Sequence, residues 1–409
     1  MHVVLVEPRF PHNQRYFVRA LAAVGATVTA IGEGSKDSLD PELKRYLRHY
    51  EEVTNVTDEA QLLRAVQFIQ RHAVIDRLEC TVEAHILPTA RVREKASIAG
   101  TSYRTAWLCR DKPAMKDALR QAGVPVAQST GASTAQEVRA FVEAVGFPVI
   151  LKPRDGAGAS GATRVDTDRE LEAAIATFRL GQPGRSVAVE EFVEGHEGFY
   201  DTLSCNGRPV HDFVCHYYPN VLDAMRHRNV SPMFISTNRL DQVAAYDELR
   251  LMGLRVNEAL GIETSATHME WFYGPRGLKF SEIGCRPPGV RAWDLYNVGN
   301  DMDLYLEWAM LLVHGRPSQR PSRRLASGIV ALRPDRDGRV VGIEGWHEME
   351  RRLGDRLIDA HFPHPGTPTQ PVEAGYMANA WVRVKDENYD HVRYLLDIIG
   401  RSVTVRARA

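Results

Sequence analysis

The sequence predicts an α/β protein with an N-terminal parallel α/β domain, a two-lobed core and a small C-terminal α+β subdomain. Strand and helix patterns alternate over the first hundred residues at the spacing of a parallel α/β unit. A Gly-rich loop between two strands follows, and later two short strands, each with one glutamate, are joined by a tight turn. We place the domains at residues 1–108, 109–186, 187–318 and 319–409.

The composition is that of an ordinary globular protein. The 409 residues are 44% hydrophobic and 25% charged, and the net charge of -1 produces no strong field. We therefore expect no nucleic-acid or membrane partner, and the basic cluster at 320–324 is interpreted as a solvated linker. The first residues lack the pattern of a signal peptide. Five scattered cysteines without metal-site spacing favour reduced thiols in the cytoplasm.

The first domain is predicted from apolar strands that alternate with amphipathic helices. No GxGxxG motif follows the first strand, so nothing in this domain indicates a dinucleotide. The predicted strands are 2–6 and 27–31, and the predicted helices are about 15–24, 58–71 and 85–98.

The second domain is predicted from helix-capping signals. Asp111 is suited to begin a helix that stops at Gly123. Capping boxes at 134–137 and 167–170 predict helices at about 135–145 and 168–179. The linker 315–326 follows a helix predicted at 301–314, and one further helix is predicted at 387–398.

A Gly-rich segment at 156–161 joins two strands rather than a strand and a helix. It lacks the spacing of a phosphate-binding Walker A loop, but the backbone near Ser160 and Gly161 can still close on phosphates. Lys152 ends the preceding strand, and Lys112 is a second cation that can reach a phosphate. The alternatives are a flexible hairpin and two solvated lysines.

A mostly apolar strand ends in Glu190-Glu191-Phe-Val193, which places two carboxylates where a buried strand normally has none. Such groups can pair with the edge of an adenine ring, and Glu197 can accept hydrogen bonds from both hydroxyls of a ribose. An edge strand with solvent-facing acids is the alternative interpretation.

The segment from His268 to Arg286 predicts a hairpin with a three-residue loop at 275–277 and Gly277 in the left-handed last position. In that register Glu270 lies opposite Glu282 on one face, which is unfavourable unless a cation lies between them. Carboxylates together with nucleotide phosphates are typical Mg²⁺ ligands. The alternative is a solvent-facing hairpin with two unrelated glutamates.

The order of these motifs resembles the ATP-grasp superfamily over roughly residues 110–315, and the preceding segment looks like its N-terminal domain. The resemblance implies that Lys112 and Lys152 bind phosphates and that Glu270 and Glu282 bridge metal and nucleotide. It assigns the adenine to the strand of Glu190, Glu191 and Val193, and the ribose to Glu197.

Two short patterns, Ala266-Thr-His268-x-Glu270 and Glu282-x-x-x-Arg286-x-x-Gly289, are most similar to the L-amino-acid ligase branch. Many ATP-grasp enzymes have an asparagine metal ligand two residues after the second glutamate. This chain has Gly284 there, which puts a second metal in doubt.

The resemblance implies an ADP-forming ligase that joins a small carboxylate and an amine through an acyl phosphate. ATP and Mg²⁺, with Mn²⁺ as a substitute, are the implied cofactors, and a homodimer is plausible. Lys152 and Arg286 are the predicted catalytic residues. Residues considered for substrate binding are His268, Arg291 and Arg226. A structural histidine that bonds the backbone fits His268 at least as well, and a surface loop without a role fits the segment of Arg226 better.

Other functions remain open from the sequence. An ATP-grasp carboxylase or a purine-pathway ligase would share the same motifs, and so would a peptide-modifying ligase. A non-catalytic ATP-binding regulator with Gly284 in a degenerate metal site is the alternative of another class. The presence of both glutamates, both lysines and Arg286 argues against the regulator.

Overall fold

The computed structural model describes residues 1–154, 161–372 and 379–409. Its first domain is a four-stranded parallel sheet of order β3-β2-β1-β4, so the predicted parallel α/β unit is confirmed. The edge strand β3 was not predicted, because only one of its five residues is buried and its sequence is polar. The strands are β1 His2–Val6, β2 Thr27–Glu33, β3 His49–Val53 and β4 Arg77–Glu79.

Helices cover this sheet and lead into the next domain. Asp111 caps α6 by accepting a hydrogen bond from the N–H of Ala114, as the sequence predicts. Short 3-10 turns lie at Lys36–Ser38 and Glu83–His85. The helices are α1 Gln14–Ala23, α2 Pro41–Tyr46, α3 Glu59–Gln70, α4 Ile86–Lys95, α5 Tyr103–Leu108 and α6 Lys112–Gln121.

The small lobe is an antiparallel sheet of order β5-β8-β6-β7. Strand β8 lies between β5 and β6, although the predicted boundary at 186/187 assigned it to the large lobe. Strand pairing between distant segments is not visible in local sequence patterns, and this explains the difference. The elements are β5 Ser129–Ala132, α7 Ala135–Val145, β6 Val149–Pro153, β7 Thr163–Val165, α8 Asp168–Phe178 and β8 Val187–Glu191.

The two predicted capping boxes differ in the structure. At α7 the box is complete, because Thr134 and Glu137 each accept a backbone N–H of the other. At α8 the Thr167 hydroxyl accepts the N–H of Glu170, but the Glu170 carboxylate accepts the N–H of Asp166. The Glu170 carboxylate therefore bonds the residue before the N-cap, Asp166, and not the N-cap residue Thr167 as a capping box requires.

The large lobe contains an eight-stranded sheet of order β13-β12-β9-β10-β11-β14-β17-β16. Its last three strands come from the predicted C-terminal subdomain, so hydrogen bonding continues across the predicted boundary at 318/319. The strands are β9 His196–Cys205, β10 Arg208–Tyr218, β11 Met233–Ser236, β12 Ser265–Gly274, β13 Gly277–Gly284, β14 Ala326–Leu332, β16 Leu357–His361 and β17 Ala380–Asp386, and β15 Arg339–Glu344 pairs separately with β18 Thr404–Arg408.

The helix predicted at 301–314 is the second of two. Asp303 caps it by accepting the N–H groups of Tyr305 and Leu306, and the preceding helix ends at Asn300. The sixteen-residue helix α10 was not predicted. The remaining helices are α9 Val221–Ala224, α10 Ala245–Leu260, α11 Ala292–Asn300, α12 Leu304–His314, α13 Trp346–Leu353 and α14 Tyr389–Ser402, with a 3-10 turn at Gly354–Arg356.

The linker 315–326 is not simply solvated. The Arg323 side chain is only 10% exposed, forms a close ion pair with Asp212 and lies over the ring of Phe213. Arg324 pairs with Asp301 at 2.6 Å. Arg323 therefore fixes the linker to the large lobe, whereas Arg324 forms its ion pair at the surface.

Aromatic packing joins the N-terminal domain to the large lobe. The ring of Phe17 on α1 lies 5.3 Å from Trp293 and 5.0 Å from Trp308, which belong to α11 and α12. All three side chains are buried in one core cluster. Within the described ranges, no helix is long and apolar enough to cross a membrane.

Candidate active site

A cleft lies between the small-lobe sheet and the β12–β13 hairpin and encloses about 990 Å³, including its open mouth. Where the lobes meet, the Phe280 N–H of β13 donates to the carbonyl of Pro125 at 2.8 Å. The cleft is lined by Lys112, Lys116, Ala127, Ile150, Lys152, Pro153, Ala162, Glu190, Glu191, Phe192, Val193, Glu197, Asn220, Val221, Leu222, Asp223, Glu270, Phe272, Phe280, Ser281 and Glu282.

The hairpin pairs Glu270 with Glu282, as the sequence predicts. The way in which this register arises differs from the prediction. The ladder continues to Gly274 opposite Gly277, so the loop has two residues, and the extra residue is Ser281, which forms a bulge next to Glu282. Gly277 has a φ of 76°, which confirms the left-handed position.

The two paired glutamates differ in their electrostatic surroundings. Burial, together with the charges of Glu282 and Glu197, raises the pKa of Glu270 to about 8. Burial also acts on Glu282, but the ammonium groups of Lys112 and Lys152 hold the pKa of Glu282 below its ordinary value. Three carboxylates thus converge at this end of the cleft, and a bound cation would relieve their repulsion.

Both predicted phosphate-binding lysines lie in the cleft. The Nζ atoms of Lys112 and Lys152 lie 3.4 Å and 3.9 Å from Oε2 of Glu282. A third lysine, Lys116, was not predicted; its side chain is 1% exposed and its Nζ lies 2.6 Å from Oε2 of Glu190. It lies one helical turn after Lys112 on α6, and this i, i+4 spacing is the signal that could have identified it.

Glu190 and Glu191 point to opposite sides of β8. Lys116 and Lys152 contact Glu190 and, against the effect of burial, lower its pKa to about 2. Glu191 instead pairs with Arg276 at 2.8 Å and Lys279 at 3.0 Å, both from the hairpin. The two acids therefore hold cations on two sides of the strand rather than facing solvent.

Glu197 lies in the cleft wall. Its Oε2 accepts the N–H of Val221 at 2.7 Å, and burial raises the pKa of Glu197 to about 7. Asp223, on the same short helix as Val221, also lines the cleft and was not predicted. Val193 lines it as well, so the strand end and the loop after β10 border the same space.

The Gly-rich segment is described only at its end. Ser160 lies outside the described residues, and Gly161 adopts a φ of 74°. The next residue, Ala162, lines the cleft. The predicted phosphate contact of Ser160 and Gly161 stays a prediction.

Arg286 lies beyond the lining of the cleft. Its Nε forms a close ion pair with Glu83, and an NH1 group donates to the carbonyl of Pro287 at 2.7 Å. Glu83 also pairs with Arg110 at 2.7 Å, and these two arginines, against the effect of burial, lower its pKa. A Cβ on Gly284 would lie 3.2 Å from a Glu83 carboxylate oxygen, so glycine leaves room for this ion pair. Glu83 was not predicted.

His268 is held by a side chain rather than by the backbone. Its Nδ1 lies 2.7 Å from Oδ1 of Asp201. The other carboxylate oxygen of Asp201, Oδ2, accepts a short hydrogen bond from the Tyr296 hydroxyl. Although burial opposes it, Asp201 raises the pKa of His268. The Nε2 of His268 lies 3.8 Å from Glu270.

The two arginines considered for substrate binding lie outside the cleft lining. Arg226 is exposed at the end of the loop after β10. Arg291 begins α11 and pairs with Asp294. Their predicted contact with a substrate carboxylate stays a prediction.

Protein ligands for a metal are few. No group of three or more histidine, cysteine, aspartate or glutamate side chains in the described residues is arranged to hold an ion. Glu270 and Glu282 supply two hard oxygen ligands, which fits Mg²⁺ if phosphates and water complete its shell.

Comparisons with known proteins agree with this geometry. Residues 111–199 match the family described as carbamoyl-phosphate synthase L chain, ATP binding domain. The fold superposes on an L-amino acid ligase from Bacillus licheniformis with a TM-score of 0.76, over 100% of this chain and 99% of that chain, at 17% identity. The chain contains an ATP-grasp domain. An ATP-grasp neighbour from Thermotoga maritima, N5-carboxyaminoimidazole ribonucleotide synthetase, covers the same shares at 14% identity with a TM-score of 0.69.

Two curated relatives of this ATP-grasp protein come from Bacillus subtilis. An L-arginine-specific L-amino acid ligase is 27% identical over 254 residues, which are 61% of this chain and 60% of that protein. An alanine–anticapsin ligase is 27% identical over 220 residues, which are 48% of this chain and 45% of that protein. The chain thus spans about half the length of the curated relatives that it matches.

Proposed function

We propose that this protein is an ADP-forming ligase that activates a small carboxylate, such as that of an L-amino acid, and joins it to an amine. The observation that carries the proposal is the meeting of Lys112, Lys152, Glu270 and Glu282 in one cleft. Lysines that bind phosphates and paired carboxylates that bind metal are what phosphoryl transfer requires. The names of the L-amino acid ligase relatives support the substrate class.

The cleft offers separate places for the parts of ATP. Phe192, Val193 and Leu222 line the cleft and are proposed to contact the base. Glu197, which pairs with Phe272 of the hairpin in the sheet, is proposed to bind the ribose. Glu270 and Glu282 are positioned to hold Mg²⁺, or Mn²⁺ in its place. When bound, that ion would offset charge on the β- and γ-phosphates.

The reaction needs a carboxylate to attack the γ-phosphorus, which gives an acyl phosphate and ADP. Lys112 and Lys152 are proposed to stabilise the charge on the transferred group. Arg286, held by Glu83, is proposed to stabilise the oxyanion when an amine displaces phosphate. We further propose that the substrates are small molecules, and that the protein acts in the cytoplasm as a homodimer or monomer.

The proposal is tested by phosphate release from ATP with Mg²⁺ over a matrix of single and paired L-amino acids. Glu270→Gln keeps the shape of the side chain and removes the negative charge of a metal ligand. We expect release to require a particular pair and to fall at least about 100-fold in the variant, because a lost charge contact in a transition state costs several kcal/mol. Unchanged nucleotide-free stability of the variant is the folding control.

Other results point to other functions. Release that needs bicarbonate or a phosphoribosylamine instead of an amino-acid pair would favour a carboxylase or a purine-pathway ligase, as named among the structural neighbours. Binding of ATP without turnover in any mixture would favour the non-catalytic regulator.

A further inference from the structure

Five charges of alternating sign, each buried or partly buried, form a chain through the cleft. Lys116 contacts Glu190 at 2.6 Å, and Lys152 contacts the same Oε2 of Glu190 at 2.9 Å. Lys152 also lies 3.9 Å from Oε2 of Glu282, and Lys112 lies 3.4 Å from it. The glutamate that is proposed to bind metal therefore lies between two lysines of this chain, Lys152 and Lys112.

Burial makes these contacts strong. The side chains of the three lysines are at most 13% exposed, and that of Glu282 is 22% exposed. Screening by solvent and salt is weak for such groups, so a buried carboxylate attracts the nearest cation strongly. The Lys112 and Lys152 contacts with Glu282 are both made to the same oxygen, Oε2.

A divalent ion and an ammonium group that contact the same carboxylate oxygen repel each other, so each weakens the binding of the other. We propose that Lys112 and Lys152 occupy Glu282 in the nucleotide-free protein, so that metal binds only after a polyphosphate has drawn these ammonium groups away. This inference rests on the proposed function, because it assumes that nucleotide phosphates bind the lysines.

Glu190 keeps Lys152 in the cleft when the ammonium group of Lys152 leaves Glu282. Its contact with Lys152 is 1.0 Å shorter than the Glu282 contact (2.9 against 3.9 Å), so Lys152 stays beside the cleft when Glu282 is released. Glu190 is thus a positioning residue for a phosphate-binding lysine. By linkage, metal must then strengthen nucleotide binding by the same factor by which nucleotide strengthens metal binding.

The test is Mn²⁺ binding, measured by electron paramagnetic resonance with and without the non-hydrolysable analogue adenylyl imidodiphosphate. We expect nucleotide-free Lys112→Met to bind Mn²⁺ at least about tenfold more tightly than the parent, because it removes the competing charge and keeps the buried stem. Lys279→Met is the matched control. Lys279 lies on β13, the strand of Glu282, but it contacts Glu191 and not Glu282. We expect its replacement to leave Mn²⁺ affinity unchanged.

Mn²⁺ affinity that is equal in Lys112→Met, Lys279→Met and the parent would overturn the inference. If Lys112→Met does not fold, as judged by circular dichroism, Lys152→Met is measured with the same expectation. If the analogue fails to bind the parent protein by calorimetry, the proposed function itself fails. Analogue binding combined with unaltered metal affinity in the lysine variants overturns only the inference.

Discussion

The Glu197 carboxylate is buried in the wall of the cleft and accepts the backbone N–H of Val221 at 2.7 Å. Burial raises its pKa from 4.5 to about 7, and the charges of Glu282 and Asp223 act in the same direction. The native protein therefore binds a proton at this site over a pH range in which the unfolded chain does not. The local sequence motif identifies Glu197 as a site residue, but its raised pKa follows from its burial in the folded protein.

This raised pKa makes stability depend on pH in a defined direction. Below pH 4.5 the carboxyl is protonated in both states, and as pH rises through 7 the folded state loses its advantage. We expect Glu197→Gln, which is neutral throughout and still accepts the Val221 N–H, to reduce the loss of stability between pH 5 and pH 8 by about 1–3 kcal/mol. Urea unfolding of nucleotide-free protein at both pH values measures it.

Glu258→Gln, which changes an exposed glutamate on α10, is the control for this substitution. We expect its pH dependence to match that of the parent. The same pH dependence in Glu197→Gln and the parent would mean that this carboxylate is ionised in the folded protein at neutral pH.

At the scale of elements, the β12–β13 hairpin shows how a correct pairing can arise in an unexpected way. Placing Glu270 opposite Glu282 requires one extra residue on the second strand. We expected it in the turn, and it lies at Ser281, next to Glu282. The bulge places Phe280 opposite Trp271 instead of Phe272. It depends on how the two strands pair, so the spacing of the glutamates alone does not reveal it.

The turn of this hairpin allows a matched test of backbone conformation. Gly277 has a φ of 76°, and a Cβ there would meet no atom within 4 Å. We expect Gly277→Ala to lower the free energy of unfolding by about 1 kcal/mol, because a side chain is unfavourable in the left-handed region. Urea denaturation measures the change.

Gly289→Ala is the matched control, because that glycine also has open space and no positive φ. We expect the control to leave the free energy of unfolding nearly unchanged. Equal effects in the two variants would show that the left-handed turn is not what requires glycine at 277.

At the scale of the whole molecule, the large sheet joins segments that the sequence divides. Strand β11 pairs with β10 on one side and with β14 on the other, so the large lobe and the C-terminal region share one hydrogen-bonded sheet. Met233 and Ile235 of β11 are buried in the core of the C-terminal region. This region therefore supports the cleft rather than forming an independent unit.

A chain that ends at residue 318, the predicted boundary, tests this continuity. Its loss of β14, β16 and β17 would expose the edge of β11 and the apolar side chains beneath it. We expect the shortened chain to lose its near-ultraviolet circular dichroism and to bind the dye ANS, unlike the full chain. A cooperative thermal transition at the temperature of the full chain would contradict this expectation.

Residue order alone predicts the type of site, and the structure brings the predicted residues together in one cleft. Lys112, Lys152, Glu190, Glu197, Glu270 and Glu282 were predicted because phosphate, ribose and metal each need particular side chains, and these appear in sequence at the required spacings. Alternation along strands and capping residues, such as Asp111 and Thr134, depend on neighbours in the chain. Local physics is sufficient for such features.

Only the tertiary structure decided which groups oppose one another. Lys116 and Glu83 acquire their partners from segments 74 and 203 residues away, the β8 carboxylate of Glu190 and the Arg286 guanidinium. The assignment of β8 to the small lobe and of β14 to the large sheet likewise depends on pairing across long separations. Pairing, burial and charge contacts of this kind depend on the closure of long loops, and no local pattern in the chain records them.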